Sequence, residues 1–74
     1  MLKIKDNVDL KELEKFGIKY DEEDNCYKGN WISIEIYDEI YHKENTRKIY
    51  VGASAYLDTL YDLIQAGYVE KVEE

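Results

Sequence analysis

Residues 31–52 read WISIEIYDEIYHKENTRKIYVG, a long alternating run, a polar turn and a second alternating run. Ile32, Ile34 and Ile36 fall on one face, and Ser33, Glu35 and Tyr37 on the other. A period of two is the mark of a half-buried strand. After His42-Lys43-Glu44-Asn45 the chain returns with Ile49 and Val51 alternating against Lys48 and Tyr50. A loop of those four residues sets Tyr41 opposite Thr46, Glu39 opposite Lys48, Tyr37 opposite Tyr50 and Ile36 opposite Val51. Unlike charges and aromatic rings then face each other, as favourable cross-strand pairs do. A slip of one residue would turn the isoleucines to water, so the pattern is expected to fix the register.

Outward from this hairpin the elements follow in turn. Leu2 and Ile4 alternate weakly, as in a short edge strand or an ordered arm. Asp9 with Glu12 has the spacing of a capping box, and Val8 with Leu13 that of a hydrophobic staple. Leu10, Leu13 and Phe16 predict a helix of about two turns, closed by Gly17. Residues 18–20 and 26–28 read as strands around an acidic turn, with Gly29-Asn30 turning the chain into the central hairpin. Ser54 is the expected cap of a second helix over residues 55–66. Tyr56, Leu57, Leu60, Tyr61, Leu63 and Ile64 share one arc of that helix, and Asp58, Thr59, Asp62 and Gln65 the other. Gly67 ends it in a Schellman-type cap that brings Tyr68 back onto Leu63, and residues 68–72 form a last strand.

The expected fold is a single α+β domain over residues 1–74. It has a small, mostly antiparallel sheet of four to five strands, with two helices packed on one face, in the order (β)αβββ(β)αβ. Its expected core is Leu10, Leu13, Phe16, Ile18, Ile32, Ile34, Ile36, Ile49, Val51, Leu57, Leu60 and Ile64. The pattern helix, glycine, strand occurs twice, as LKELEKFGIKY and LYDLIQAGYVE. Shared capping rules account for it more simply than duplication does.

The chain carries 17 acidic and 10 basic residues, a net charge of −7. Nucleic-acid binders carry the opposite sign, because phosphate neutralisation supplies most of their affinity. The acidity therefore disfavours nucleic acid and anionic membrane as partners. The absence of an apolar run long enough to span a bilayer, of a secretory signal and of a second cysteine to pair Cys26 leads to the expectation of a cytoplasmic protein. Eight tyrosines stand against one Phe and one Trp, so many must be half-exposed.

Residues suited to chemistry are sparse. His42 and Cys26 are one of each kind, without the spacing of a zinc site. The run Asp21-Glu22-Glu23-Asp24-Asn25 lacks the alternate-position ligands of a calcium loop and reads as a solvated turn. Ser33 and Ser54 have no neighbouring His, and the glycines stand singly at element ends rather than in a phosphate loop. Asp58 and Asp62 share a helix face as a solvated stripe. No catalytic residue, metal ligand or cofactor site is assigned, and the chain is expected not to be an enzyme.

A ferredoxin-like RNA-binding sheet would display its aromatics beside basic residues, but Tyr37 and Tyr50 have Glu35 and Glu39 beside them. A winged helix would carry Lys or Arg where residues 58 and 62 are Asp. The remaining feature is the outer sheet face: Tyr37, Tyr41 and Tyr50 with Glu39 and Lys48. Tyrosine is enriched at interfaces and equally in strands for its own sake.

The stretches NVDLKELEKFGIKYDEEDNCY and LDTLYDLIQAGYVEKVEE resemble small uncharacterised proteins encoded by prophages and mobile elements of Gram-positive bacteria (Firmicutes). The resemblance implies an accessory protein that binds a host or element protein. Two other expectations stand beside it. An acidic nucleic-acid mimic would block a basic surface through residues 21–24 with Asp58 and Asp62, and a homo-oligomer, such as a homodimer, would bury its own tyrosines.

Overall fold

A computed structural model describes residues 1–52 and 57–72. It is an α+β fold of antiparallel sheets and two helices. Eight short strands occur among the described residues: β1 (Leu2–Ile4), β2 (Lys19–Asp21), β3 (Cys26–Gly29), β4 (Ile32–Glu35), β5 (Tyr37–Asp38), β6 (Lys43–Glu44), β7 (Ile49–Val51) and β8 (Val69–Lys71). They divide into a four-stranded sheet β2-β3-β4-β7 and two ladders, β1-β8 and β5-β6. The expected single sheet of four to five strands is thus split. A bridge between Lys3 and Lys48 joins β1 to the end of β7, and the Ile4 amide donates to the Arg47 carbonyl at 2.9 Å. The first strand is therefore not a loose edge. It is held between β8 and the returning hairpin strand, and Ile4 is fully buried.

The central hairpin forms with its faces as expected and its register shifted, by four residues between β4 and β7 and by six at the tip between β5 and β6. Ile32 faces Val51, Ser33 faces Tyr50 and Ile34 faces Ile49. Tyr37 faces Glu44 rather than Tyr50, and Asp38 faces Lys43. Ile36 accordingly does not meet Val51, nor Glu39 Lys48, nor Tyr41 Thr46. Two local causes account for the shift. The Asp38 carboxylate accepts from the amides of Ile40 and Tyr41 at 2.9 and 3.1 Å, so the turn closes over residues 39–42, as an Asx turn does. Asn45 and Arg47, both with positive φ, then form a bulge in which the Thr46 amide donates to the Ile36 carbonyl at 3.3 Å and the Arg47 amide to the Glu35 carbonyl at 2.8 Å. Slips of four and of six both preserve the alternation of faces, so the hydrophobic pattern cannot oppose them.

The first helix, Leu10–Phe16, is 3₁₀ rather than α. Its apolar residues recur at every third position, which suits a helix of three residues per turn. The Asp9 carboxylate caps it by accepting from the Lys11 amide at 3.0 Å. Glu12 pairs with Lys15 instead of completing a capping box. The second helix, α1, is described over Leu57–Gln65; the expected Ser54 cap, Ala55 and Tyr56 lie outside the described residues. Both helices end alike. Gly17 donates to the Glu14 carbonyl and Ile18 to that of Leu13, while Gly67 donates to Ile64 and Tyr68 to Leu63. These are the paired bonds of a Schellman end.

The core is Ile4, Leu13, Ile18, Ile32, Ile34, Ile49 and Leu63. Each helix contributes one fully buried leucine over the isoleucine face of the sheet. Leu10, Phe16 and Leu60 pack partly buried against this cluster, whereas Val51, Leu57 and Ile64 are exposed. The arc of α1 that faces the core is thus centred on Leu63, with Thr59 and Leu60 beside it.

The acidic turn is held by charge. Asp21 accepts from the amides of Glu23 and Asp24 at 2.9 and 3.1 Å, and Lys28 reaches both Asp21 and Asp24. The bond from Lys28 and these amides hold the Asp21 carboxyl below its ordinary value. A carboxyl depressed by folding stabilises the fold above its unfolded pKa and loses that contribution as pH falls through its folded pKa. Denaturation midpoints measured between pH 6 and pH 2 should therefore fall less steeply for Asp21→Asn than for the unaltered chain. Identical slopes would show that the turn contributes nothing.

Candidate interaction face

The link from β3 to β4 determines what the outer sheet face presents. Gly29 pairs with Ile32, leaving Asn30 and Trp31 as a two-residue turn with φ of 53° and 62°. Positive φ at both central positions is the I′ geometry, for which Asn-Gly is the favoured sequence. Asn30 suits the first position. Its side-chain amide donates to the Phe16 carbonyl at 3.3 Å and to the Thr59 hydroxyl at 3.1 Å, tying the turn to both helices. Trp31 occupies the position that favours glycine. The turn was expected at Gly29-Asn30, with Trp31 opening the strand, so this residue was not singled out from sequence.

Positive φ is rare for a bulky side chain and costs about 1 kcal/mol or more. Trp31 nevertheless remains 69% exposed. Arg47 offers a useful contrast. It shares the left-handed backbone, but its guanidinium donates to the carbonyls of Lys5 and Val8 at 2.9 and 2.6 Å. The strain at Arg47 is offset by contacts that fasten the N-terminal segment to the sheet. The strain at Trp31 has no such return from its own side chain.

Beside Trp31 lies a groove of about 650 Å³, lined by Lys28, Gly29, Trp31, Ile32, Ser33, Tyr50, Val51 and Gly52. The Gly52 amide donates to the Trp31 carbonyl at 2.8 Å. A methyl at Gly52 would stand 3.2 Å from that oxygen and 3.5 Å from the Trp31 Cβ, so a bare backbone here lets the indole lie close. The Tyr50 hydroxyl donates to Glu35 at 3.2 Å. Partial burial, with the Glu35 carboxylate next, pushes its pKa up, and it remains a hydrogen-bond donor.

The other tyrosines named from sequence lie apart from this groove. The Tyr37 hydroxyl is 3.0 Å from Nδ1 of His42, which accounts for the one histidine. Tyr41 and Glu39 are exposed at the hairpin tip. Tyr41 and Lys48 line a second cavity of about 350 Å³ with Lys3, Asp38 and Lys43. Asp58 and Asp62 are exposed on α1. The sheet therefore brings Tyr50 to Trp31 and Ser33, and Tyr41 to Lys48, but does not gather the three tyrosines into one patch.

Cys26 is half-buried opposite Glu35. Burial, then the charge of Asp24, pushes its thiol up, the reverse of what a nucleophilic cysteine needs. Among the described residues, no three His, Cys, Asp or Glu side chains are grouped to hold a metal ion, and no helix is long and apolar enough to cross a membrane. Comparisons with protein-family models, with curated proteins and with solved structures find no match.

Proposed function

We propose that the chain is a non-catalytic protein-interaction module that docks a partner protein through its outer sheet face at Trp31 and Tyr50. The observation that carries this reading is the strained, exposed Trp31. Its backbone conformation costs stability and its ring buries little in return, so its contribution lies in contact with something else. Strain of this kind concentrates at binding and switch sites, and exposed Trp and Tyr are the residue types most often found at hot spots. The face replaces the hairpin patch of Tyr37, Tyr41 and Tyr50 as the favoured surface, while Tyr50 belongs to both. The resemblance to prophage and mobile-element proteins points to a host or element protein as partner, met in the cytoplasm.

Capture of proteins from host lysate by the immobilised chain tests this. Tyr50→Ala should reduce capture of the specific partner at least about tenfold, since truncating a hot spot costs about 2 kcal/mol, while leaving the denaturation midpoint within about 0.5 kcal/mol of the original. Capture should persist at high salt, where exposed ion pairs are screened. Binding that survives Tyr50→Ala yet disappears at high salt would replace this reading with acidic mimicry through Asp58 and Asp62. A concentration-dependent dimer that Tyr50→Ala dissociates would make the partner a second copy.

A further inference from the structure

We infer that the chain pairs with a second copy of itself through α1, the two helices running antiparallel. This helix carries more apolar surface than the core uses. Leu63 is fully buried and Leu60 partly so, whereas Leu57, Tyr61 and Ile64 are 69, 60 and 46% exposed. At about 100° per residue these three fall on one narrow stripe, roughly a third of a turn round the helix from Leu63. Their spacing, four residues and then three, is that of a coiled-coil seam, with Leu57 and Ile64 at d and Tyr61 at a. A single exposed apolar side chain is ordinary, but an aligned row of them marks a contact.

The spacing of the stripe selects a helix as its occupant, and its flank selects this helix. Knobs that recur every 3.5 residues or so fit the holes of a facing helix. They match no strand, whose side chains share a face at every second residue. The antiparallel sense sets the two macrodipoles against each other, which favours it over the parallel one. In that sense each a residue faces a d residue, and the e residues, here Asp58 and Gln65, line one flank together. Two registers then bring Tyr61 onto an aliphatic side chain. Tyr61 against the partner's Leu57 would press the two Asp58 carboxylates together. Tyr61 against the partner's Ile64 instead sets Asp58 beside the partner's Gln65, whose amide donates to a carboxylate. One twofold axis thus matches apolar to apolar and carboxylate to amide, each twice, as an isologous contact requires. Asp62, at b, stays exposed outside the seam.

Three side chains from each copy supply less than the roughly 800 Å² per partner of a standard interface. Each copy also carries a net charge of −7. The dimer is therefore weak, and it tightens as salt rises, because screening relieves the repulsion between copies and leaves the apolar contact in place.

Sedimentation equilibrium of the full chain tests this, over about 0.01–1 mM protein at low salt and at about 0.5 M salt. A monomer–dimer equilibrium that shifts toward dimer at high salt is expected. Ile64→Lys, at an exposed position, should weaken the dimer at least about tenfold with the circular dichroism spectrum unchanged. Gln65→Lys places a cation beside the partner's Asp58 and should tighten the dimer about fivefold at low salt, through two exposed ion pairs. Asp62→Asn makes the same change in net charge away from the seam and should do less. Equal effects of these two variants would overturn the antiparallel register. A chain monomeric over the whole range, or a dimer indifferent to Ile64→Lys, would overturn the inference. So would a dimer that Tyr50→Ala dissociates, which would move the contact to the outer sheet face.

Discussion

Gly29→Ala is expected to be the most damaging single methyl in the chain. A Cβ built on Gly29 would stand 2.0 Å from the Gly17 carbonyl oxygen and 3.1 Å from the Ile18 Cα. Both are backbone atoms, so no side chain can rotate away. Gly17 is itself fixed, because its left-handed conformation ends the first helix and its neighbour Ile18 is fully buried. Relief would require β3 to separate from that turn, which would also pull Asn30 from Phe16 and Thr59. The expected loss is about 3 kcal/mol or more, the range in which strain or overpacking becomes diagnostic. A chain of this size has only about 4–11 kcal/mol in total, so a urea titration should show a sharply lowered midpoint or no folded baseline. An unchanged midpoint would mean that the two segments are not in contact.

Leu63→Ala should be the largest core truncation on α1. Leu63 is fully buried against the isoleucine face, while Leu57 is 69% and Ile64 46% exposed. Deleting a buried leucine side chain costs about 2–5 kcal/mol, depending on how far the site collapses. Leu60→Ala should cost less, because Leu60 is only partly buried, and Ile64→Ala should fall within about 0.5 kcal/mol of the original. The order Leu63, Leu60, Ile64 in chemical denaturation is therefore a test of the helix's rotation. Equal costs at Leu63 and Ile64 would place a different arc against the sheet.

That rotation also shows where sequence reasoning stops. The apolar arc of α1 is broader than the strip the core accepts, and nothing within the helix distinguishes its centre from its margin. The margin that faces the core carries Thr59, which accepts a hydrogen bond from Asn30 in a turn 29 residues away in sequence, a partner nothing within the helix announces. The hairpin teaches a related lesson. Alternation of Ile32, Ile34, Ile49 and Val51 identified the strands and their faces, because side-chain direction has period two. It left every even shift open, and the Asx turn at Asp38 with the bulge at residues 45–47 selected among them. Asp38 was a readable signal for the earlier turn. The spacing of Leu10, Leu13 and Phe16 was a readable signal for a 3₁₀ helix as well. Tyr50 was found because it alternates outward on a strand. Trp31 was missed because Trp is a strong strand former, and a turn residue of this kind violates the local preference that sequence reading relies on. Departures of that sort are expected where binding, rather than folding, governs the residue.

The most direct measurement is therefore made on Trp31→Gly, with stability and binding read on the same protein. Glycine restores Asn-Gly to a turn with two positive φ values, so urea denaturation should show the fold unchanged or stabilised by up to about 1 kcal/mol. Capture of the partner from lysate should be lost in the same variant. A chain that keeps its partner after Trp31→Gly, or one that unfolds without the indole, would contradict the assignment of Trp31 to binding and return it to the fold.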